Sequence, residues 1–345
     1  MTPPAGGTTI LGAGPAGLAA ALGLTAREQV RIIAPTVPAA TDAPRVDMVP
    51  ATFLAFLLEL GVHPAQLGVS ELHDVRIMAW GGAQPETVRG NAMAHVERPA
   101  LELALLAAVT RASRAAIVSA ATAEPIGSEE RVIDATGRRA ASARRTVGLP
   151  QPWIARVFSR RGQFDRQDQA FRMAALPAGY AYRMASPRLM TIGVVLSRTL
   201  GTMTAAEIEA CVRSAGAGWI LAGAGRLDSL PPGRGGVASV QWSTGSGSAE
   251  LVGDALLARD SLSAQGLCTG ISHAVAVARH SGDARRYPEP LQRHLGMLAG
   301  AIEASRFRAE PAWEQYLHFV RLNAIADDWP APHQDDETCN ADGAR

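Results

Sequence analysis

The sequence predicts an α/β protein built from a doubly wound parallel sheet, an interleaved β-sheet layer and a set of C-terminal helices. Three observations predict it. Thr8 to Leu11 is a short apolar, β-branched run that meets a glycine cluster, continues into an Ala/Leu-rich segment and ends in a second apolar run. This strand, turn, helix and strand is the opening unit of a doubly wound sheet. Trp153 to Leu196 reads as successive strands with little helix between them. Pro290 to Ile325 reads as helical throughout.

Taken in order, Pro15 to Arg27 is the first helix and Gln29 to Ala34 the second strand. Pro35 to Pro44 is a Pro/Ala/Thr loop, Thr52 to Leu60 a helix and Leu72 to Trp80 a strand. Pro99 to Ser113 is a helix because Leu101, Leu105 and Ala108 share one stripe. Ile117 to Ala120 and Arg131 to Ala135 are strands that bracket a shortened connection. Trp153 to Ser159, Tyr180 to Met184 and Leu189 to Leu196 form the second layer. Thr204 to Ser214 is a helix with a threonine cap. Ala238 to Ser243 and Glu250 to Val252 are strands, Gly266 to Arg279 is a long Ala/Val helix, and the polar stretch Asp327 to Arg345 is expected to be disordered.

The turn Gly12-Ala13-Gly14-Pro15-Ala16-Gly17 has the spacing GxGxxG between a strand and a helix. Gly12 permits the tight turn, Gly14 lets a diphosphate approach the backbone, and Gly17 lets the helix pack closely on the strand. The helix N-terminus adds unpaired N–H groups and partial positive charge. This is a Rossmann-like dinucleotide site. The acidic residue expected about 20 positions on, for the ribose hydroxyls, is missing: the second strand ends in Ala34-Pro35-Thr36, and the next carboxylate is Asp42.

Composition narrows the chemistry. The 345 residues suggest two domains at about 100–200 residues each. The formal net charge of +1 gives no global reason to expect nucleic acid or membrane as a partner. All 33 basic residues are arginine. A phosphate-binding loop ending in Gly-Lys, a lysine Schiff base and a lysine general base are therefore impossible. Cys211, Cys268 and Cys339 form no CxxC pair, and the eight histidines show no metal spacing, so no metal is expected. The N-terminus lacks a basic, apolar leader, and no apolar run approaches the roughly 18 residues of a membrane span. A reducing, cytoplasmic location is the expectation. Nine arginines between Arg131 and Arg166 make that segment locally basic, most simply as a solvated face.

Two later strand-end motifs specify the dinucleotide. Val132 to Arg138 reads VIDATGR, and Leu251 to Ala255 reads LVGDA before DSLSAQGLCTGI and a helix. Together with the glycine turn, these resemble the FAD-binding domain of flavoprotein monooxygenases related to the aromatic hydroxylases and the tryptophan halogenases. The resemblance covers roughly residues 8–325. It implies FAD as cofactor, with Gly12, Gly14, Pro15, Ala16 and Gly17 at its diphosphate and Asp254 on its ribityl chain. Gly266 and Leu267, opening a helix, would face the flavin edge that becomes negative on reduction. Arg45 in PRVDMVPA and Arg98 in HVERPALELALL sit where the family places cofactor-contacting arginines. The implied FAD-binding domain is discontinuous (1–70, 90–150 and 240–285), with a substrate domain at 71–89 and 151–239, C-terminal helices at 286–326 and a tail at 327–345.

The resemblance can be narrowed further. The halogenases use a catalytic lysine and a WxWxIP motif, whereas this chain has no lysine and reads QPWIARVF around Trp153. A halogenase of the usual mechanism is excluded. The segments GYAYRMASPRLMTIGVV, PPGRGGVASVQWS and GDALLARDSLSAQGL look like the flavoprotein maturases that hydroxylate a tryptophan in a partner protein. That reaction leads to the cysteine tryptophylquinone of amine dehydrogenases and lysine or glycine oxidases. The implied partners are a quinone-cofactor oxidase precursor, O2 and NAD(P)H or another reductant. Two alternatives stay open: a hydroxylase of a free small aromatic or natural-product substrate, and a non-catalytic FAD-fold binding protein. No catalytic side chain is assigned, because the flavin does the hard chemistry. Arg183, Met184 and Trp242 are expected on strands facing the substrate, with a structural ion pair equally open for Arg183. Cys268 is expected to be a small packing residue beside the flavin helix.

Overall fold

A computed structural model describes residues 7–24, 28–38, 44–69, 71–81, 84–112, 115–121, 126, 131–197, 202–231, 235–245, 249–280 and 288–325. In chain order these form β1 (Thr8–Leu11), α1 (Pro15–Leu24), β2 (Val30–Ala34), β3 (Val46–Pro50), α2 (Ala51–Glu59), β4 (Leu72–Ala79), β5 (Glu86–Glu97), α3 (Arg98–Arg111), β6 (Ala115–Ser119) and β7 (Arg131–Asp134). There follow β8 (Ala143–Gly148), β9 (Ile154–Arg161), β10 (Phe171–Leu176), β11 (Gly179–Ala185), β12 (Leu189–Leu196), α4 (Ala205–Ser214), β13 (Gly236–Val237), β14 (Gln241–Gly245), β15 (Ala249–Leu251) and β16 (Leu257–Ala258). The chain ends in α5 (Gly266–Arg279), α6 (Pro288–Ala304) and α7 (Pro311–Ile325). The expected polar tail from Asp327 lies outside the described residues.

The first sheet is parallel throughout, in the order β15-β7-β1-β2-β6. Strands buried on both faces read as continuous apolar runs rather than alternations, and Ile10 and Ile32 are fully buried here. Helices α1, α3 and α5 pack together beside it. Gly23 of α1 lets α5 come close: a Cβ there would lie 3.0 Å from the Ala278 methyl.

The second sheet is mixed, in the order β13-β9-β12-β11-β10-β4-β5-β3. At its far end β3 curls back over β11 and β12, where the Val46 N–H donates to Thr191 Oγ1 at 2.8 Å. A three-stranded sheet, β16-β14-β8, sits beside it. Helix α4 covers one face of the large sheet, capped as predicted: Thr204 and Glu207 exchange side chain-to-backbone bonds as a capping box.

Several expectations are corrected. The C-terminal helical stretch is two helices, because Pro311 has no N–H to donate and opens a new helix. Strands β3, β5, β8 and β10 have no counterpart in the sequence reading. The strand expected from Ala238 begins at Gln241. Strand β5 spans residue 90, and its 12 residues run from an exposed start to a buried end.

Candidate functional site

The glycine turn behaves as its spacing implies. Gly12 has φ +105°, and a Cβ there would lie 2.5 Å from the Ala135 carbonyl oxygen. Gly17 is equally constrained, since its Cβ would overlap the Gly12 carbonyl. Packing alone therefore requires glycine at both positions. Gly14 is different: it has no left-handed φ, and a Cβ there would touch nothing within 4 Å.

The DATGR segment supports this turn from behind. Asp134 is fully buried and accepts four hydrogen bonds, from the N–H and hydroxyl of Thr136 and of Ser142, at 2.6–2.8 Å. This holds Ala135 against Gly12. Arg138 donates to the carbonyls of Ser239 (2.6 Å) and Arg259 (3.2 Å), tying the segment to the region around Asp254.

The GDA segment arrives beside the same turn. Gly253 has φ +60°, and a Cβ there would lie 2.7 Å from the Ala16 methyl. It also rests against Gly270 of α5. The N-terminal ends of α1 and α5 thus meet around Gly253, with Gly14, Pro15 and Ala16 on one side and Gly266 and Leu267 on the other. Helix α5 starts at Gln265 with no side-chain cap, so its first N–H groups stay available. Like Gly14, Gly266 has no left-handed φ and no neighbour within 4 Å of a built Cβ.

Arg45 and Arg98 are brought together by the β3–β5 pairing, in which Val46 faces Glu97 and the Arg98 N–H donates to the Arg45 carbonyl. Asp47 sits between them, 2.9 Å from Arg98 Nη1 and 3.7 Å from Arg45 Nε. Glu102 takes the other side of Arg98 at 2.6 Å. Burial works to raise the Asp47 pKa, but the two guanidinium charges more than offset it and hold it below the ordinary value. Asp254 opens to solvent, yet the surrounding protein desolvates its carboxyl and raises its pKa, against the pull of Arg138, Arg98 and Arg45. Those three arginines are therefore its charged surroundings. Burial and the Asp47 charge push the Cys268 thiol up to about 12, which makes it a packing group rather than a thiolate.

These contacts bring the glycine turn, Asp254 and the start of α5 together, with Arg45 and Arg98 near enough to act on the Asp254 charge; the space among them is the recess. The carboxylates Asp47 and Glu102 and the anchor Arg138 were missed, although Asp47 and Arg138 lie inside quoted motifs. Arg183 does not face this recess. It is fully buried on the opposite face of the sheet, bound to Asp168 at 2.7 Å and to the Ala222 and Asp168 carbonyls. Strand alternation puts Tyr182 and Met184 on the recess side instead.

A second polar cluster ties the C-terminal helices to the GDA segment. Tyr180 of β11 and Tyr316 of α7 donate to the two carboxylate oxygens of buried Asp260. The Asp260 N–H donates to Nε2 of His294 on α6 at 3.3 Å. Trp80, Trp153 and Trp313 pack around these tyrosines.

No family model and no curated protein matches this sequence. Solved structures do share its fold. The peptidyl tryptophan dihydroxylase QhpG, essential for tryptophylquinone cofactor biogenesis, is 20% identical with a TM-score of 0.67, over 92% of this chain and 79% of that one. The flavin-dependent halogenase CmlS is 18% identical with a TM-score of 0.68, over 92% and 68%. A 2-methyl-3-hydroxypyridine-5-carboxylic acid oxygenase is 17% identical with a TM-score of 0.62, over 91% and 96%. The chain has the Rossmann-like α/β fold of FAD-dependent hydroxylases and halogenases. No helix among the described residues is long and apolar enough to cross a membrane.

Proposed function

We propose that this protein is an FAD-dependent monooxygenase that hydroxylates a tryptophan of a partner protein, a quinone-cofactor oxidase precursor, in a reducing cytoplasm. The observation that carries the FAD assignment is the pair Gly14 and Gly266. Neither is demanded by backbone conformation or by packing, and each leaves bare backbone that a ligand could approach. Both lie where two helix N-termini converge, a setting that favours anionic groups.

The residues present fit FAD. Gly12 to Gly17 and the start of α1 would hold the diphosphate, and Asp254 the ribityl hydroxyls. The N–H groups of Gly266 and Leu267 would face the edge that turns negative on reduction. Arg45 and Arg98 add positive potential, and Asp47 and Glu102 hold Arg98 in place. When bound, FAD supplies the redox chemistry, with NAD(P)H or another reductant as electron source and O2 as oxygen donor. The fold shared with QhpG supports a peptide-borne tryptophan as substrate, and the missing lysine argues against halogenation.

The test starts from the purified protein with FAD, read by visible absorbance. Gly14→Ala should leave the thermal melt unchanged or slightly raised, because Ala fits the space and stiffens the unfolded chain, yet weaken FAD retention. Asp254→Ala should weaken it as well. A parent protein that cannot be reconstituted with FAD sinks the assignment. With FAD, reductant and O2, the precursor protein should gain oxygen on a tryptophan, read by peptide mass. Oxidation of free aromatics alone would replace the partner-protein reading with a small-molecule hydroxylase.

A further inference from the structure

Three of the six tryptophans and two of the four tyrosines of the chain are joined by ring contacts. Trp153 lies 4.6 Å from Trp313, 4.8 Å from Tyr316 and 6.4 Å from Tyr180, ring centre to ring centre. Trp80 closes the set, 5.6 Å from Trp313 and 6.1 Å from Tyr180. Each separation is one of direct ring contact, about 4.5–7 Å. The indole N–H groups of Trp80 and Trp313 donate to the Ala301 and Leu176 carbonyls, which holds these rings in place. Trp153, Trp313, Tyr180 and Tyr316 are 0–1% exposed, whereas Trp80, just past β4, is half-buried.

The two ends of this array differ. At the inner end, Tyr180 and Tyr316 both donate to the buried carboxylate of Asp260. Asp260 lies in the stretch between Asp254 and the start of α5, and the Arg138 charge acts on both carboxylates. The inner end therefore stands behind the recess wall. At the outer end, the Trp80 ring is partly open to solvent beside Ala301 of α6. Indole and phenol lose one electron more readily than the other ring side chains, and transfer between rings slows steeply with distance. Unbroken contact is thus the condition for a relay. A phenol that loses an electron becomes a strong acid and needs a proton acceptor. Asp260 already accepts from both phenols, and burial makes its carboxylate more basic than usual.

We propose that these five rings form a one-electron relay between the recess and the surface, which drains stray oxidising equivalents away from the cofactor site. The purpose of the relay rests on the monooxygenase reading; the relay itself does not. The oxidant at the recess end is of the peroxide class, formed from O2 when no substrate is present. It gains one electron from Tyr180 or Tyr316, whose phenolic proton passes to Asp260. Trp80 returns the electron, directly to Tyr180 or through Trp313 and Trp153 to Tyr316, and the proton comes back from Asp260. Oxidised Trp80 releases its N–H proton to water. A small thiol then restores it at the surface by giving up one hydrogen atom and becoming a thiyl radical.

The test is pulse radiolysis of the FAD-free protein in azide solution, where azidyl radicals oxidise accessible tryptophan and are reduced to azide. It is run with Tyr182→Phe and Tyr287→Phe in place, so that any tyrosyl radical sits on Tyr180 or Tyr316. Tryptophanyl absorbance should decay as tyrosyl absorbance grows, in a first-order phase independent of protein concentration. Trp80→Phe should remove that phase with little change in the thermal melt, because the ring is half-buried. Trp219→Phe, half-buried in the cluster under α4, should leave the phase intact. No such phase in the parent, a phase that survives Trp80→Phe, or one lost equally in Trp219→Phe overturns the relay. The growth should slow in D2O, since the phenolic proton moves with the electron, and equal rates overturn the step to Asp260. The FAD-loaded protein is then given reductant and O2 without substrate. Peptide mass should find added oxygen on Trp80 in the parent, and on Tyr180, Trp153 or Trp313 in Trp80→Phe. The same inner oxidation with and without Trp80 overturns the drain. Failure to bind FAD leaves the radiolysis result standing and sinks only the monooxygenase reading.

Discussion

The two faces of the large sheet come from the same strands and differ in nearly everything else. Toward α4, Ala174, Ala181, Ile192 and Val194 are 0–1% exposed, and fully buried Arg183 is bound to Asp168 and two carbonyls. Toward the recess, Phe171, Met173 and Met184 keep 3–7% exposure. Where α6 and α7 cover this second face, Tyr180 and Val195 are sealed completely. One face packs against α4, and the other packs against the GDA segment and the C-terminal helices. A sheet can do both because alternate residues answer to different neighbours.

The comparison breaks most easily on the sealed face. Ile192→Ala should destabilise the protein by about 2–5 kcal/mol, because a close-packed site leaves a cavity, while FAD affinity barely changes. Chemical denaturation and titration together check this.

Acidification should reach the recess side first. Burial lowers the pKa of His95 to about 4 and of His294 to about 3. His95 lies under β11, its Nδ1–H donating to the Ala185 carbonyl, and His294 supports Asp260. For a histidine with a depressed folded pKa, the unfolded chain binds the proton first. The stability is complete above about pH 6.5 and is lost as pH falls toward the folded value. At pH 5 each should withdraw about 2 kcal/mol. Asp254 and Asp260, both raised by burial, work in the opposite sense near the acid end. Thermal melts from pH 7.5 to 5 should fall, and a His95→Phe variant should fall less steeply. Equal slopes for parent and variant would show that His95 is not part of the cause.

The smallest effect sharpens the contrast from the other side. Met184→Leu conserves volume and should cost less than about 1.5 kcal/mol by chemical denaturation. A Met184→Leu variant that costs as much as Ile192→Ala would make the two faces equivalent.

The legible parts of this molecule are local. The β1–α1–β2 unit, the bounds of β12 and α5, and the glycine spacing all depend on residues within one turn or one strand of each other. Strands β3 and β5 escaped notice because their partners are far away in the chain, and because β5 begins as an exposed polar hairpin. Asp47 escaped notice because nothing in PRVDMVPA shows that its carboxylate will sit between two arginines 53 residues apart. The run GYAYRMA shows alternation but not direction: both of its faces are apolar enough to bury, so the adjacent Arg183 and Met184, both expected toward the substrate, are separated only by the register.

What the sequence by itself determined is the tight glycine turn between strand and helix and the exclusion of every lysine-dependent chemistry. These follow from steric limits on short glycine-bearing stretches and from composition, and neither needs a neighbour to be known. The tertiary structure alone decided which side of the sheet faces the recess, which arginines are neutralised and which tyrosines meet at Asp260. Those are properties of contacts between distant segments, and the energy of burying a polar group depends on what the fold brings to it.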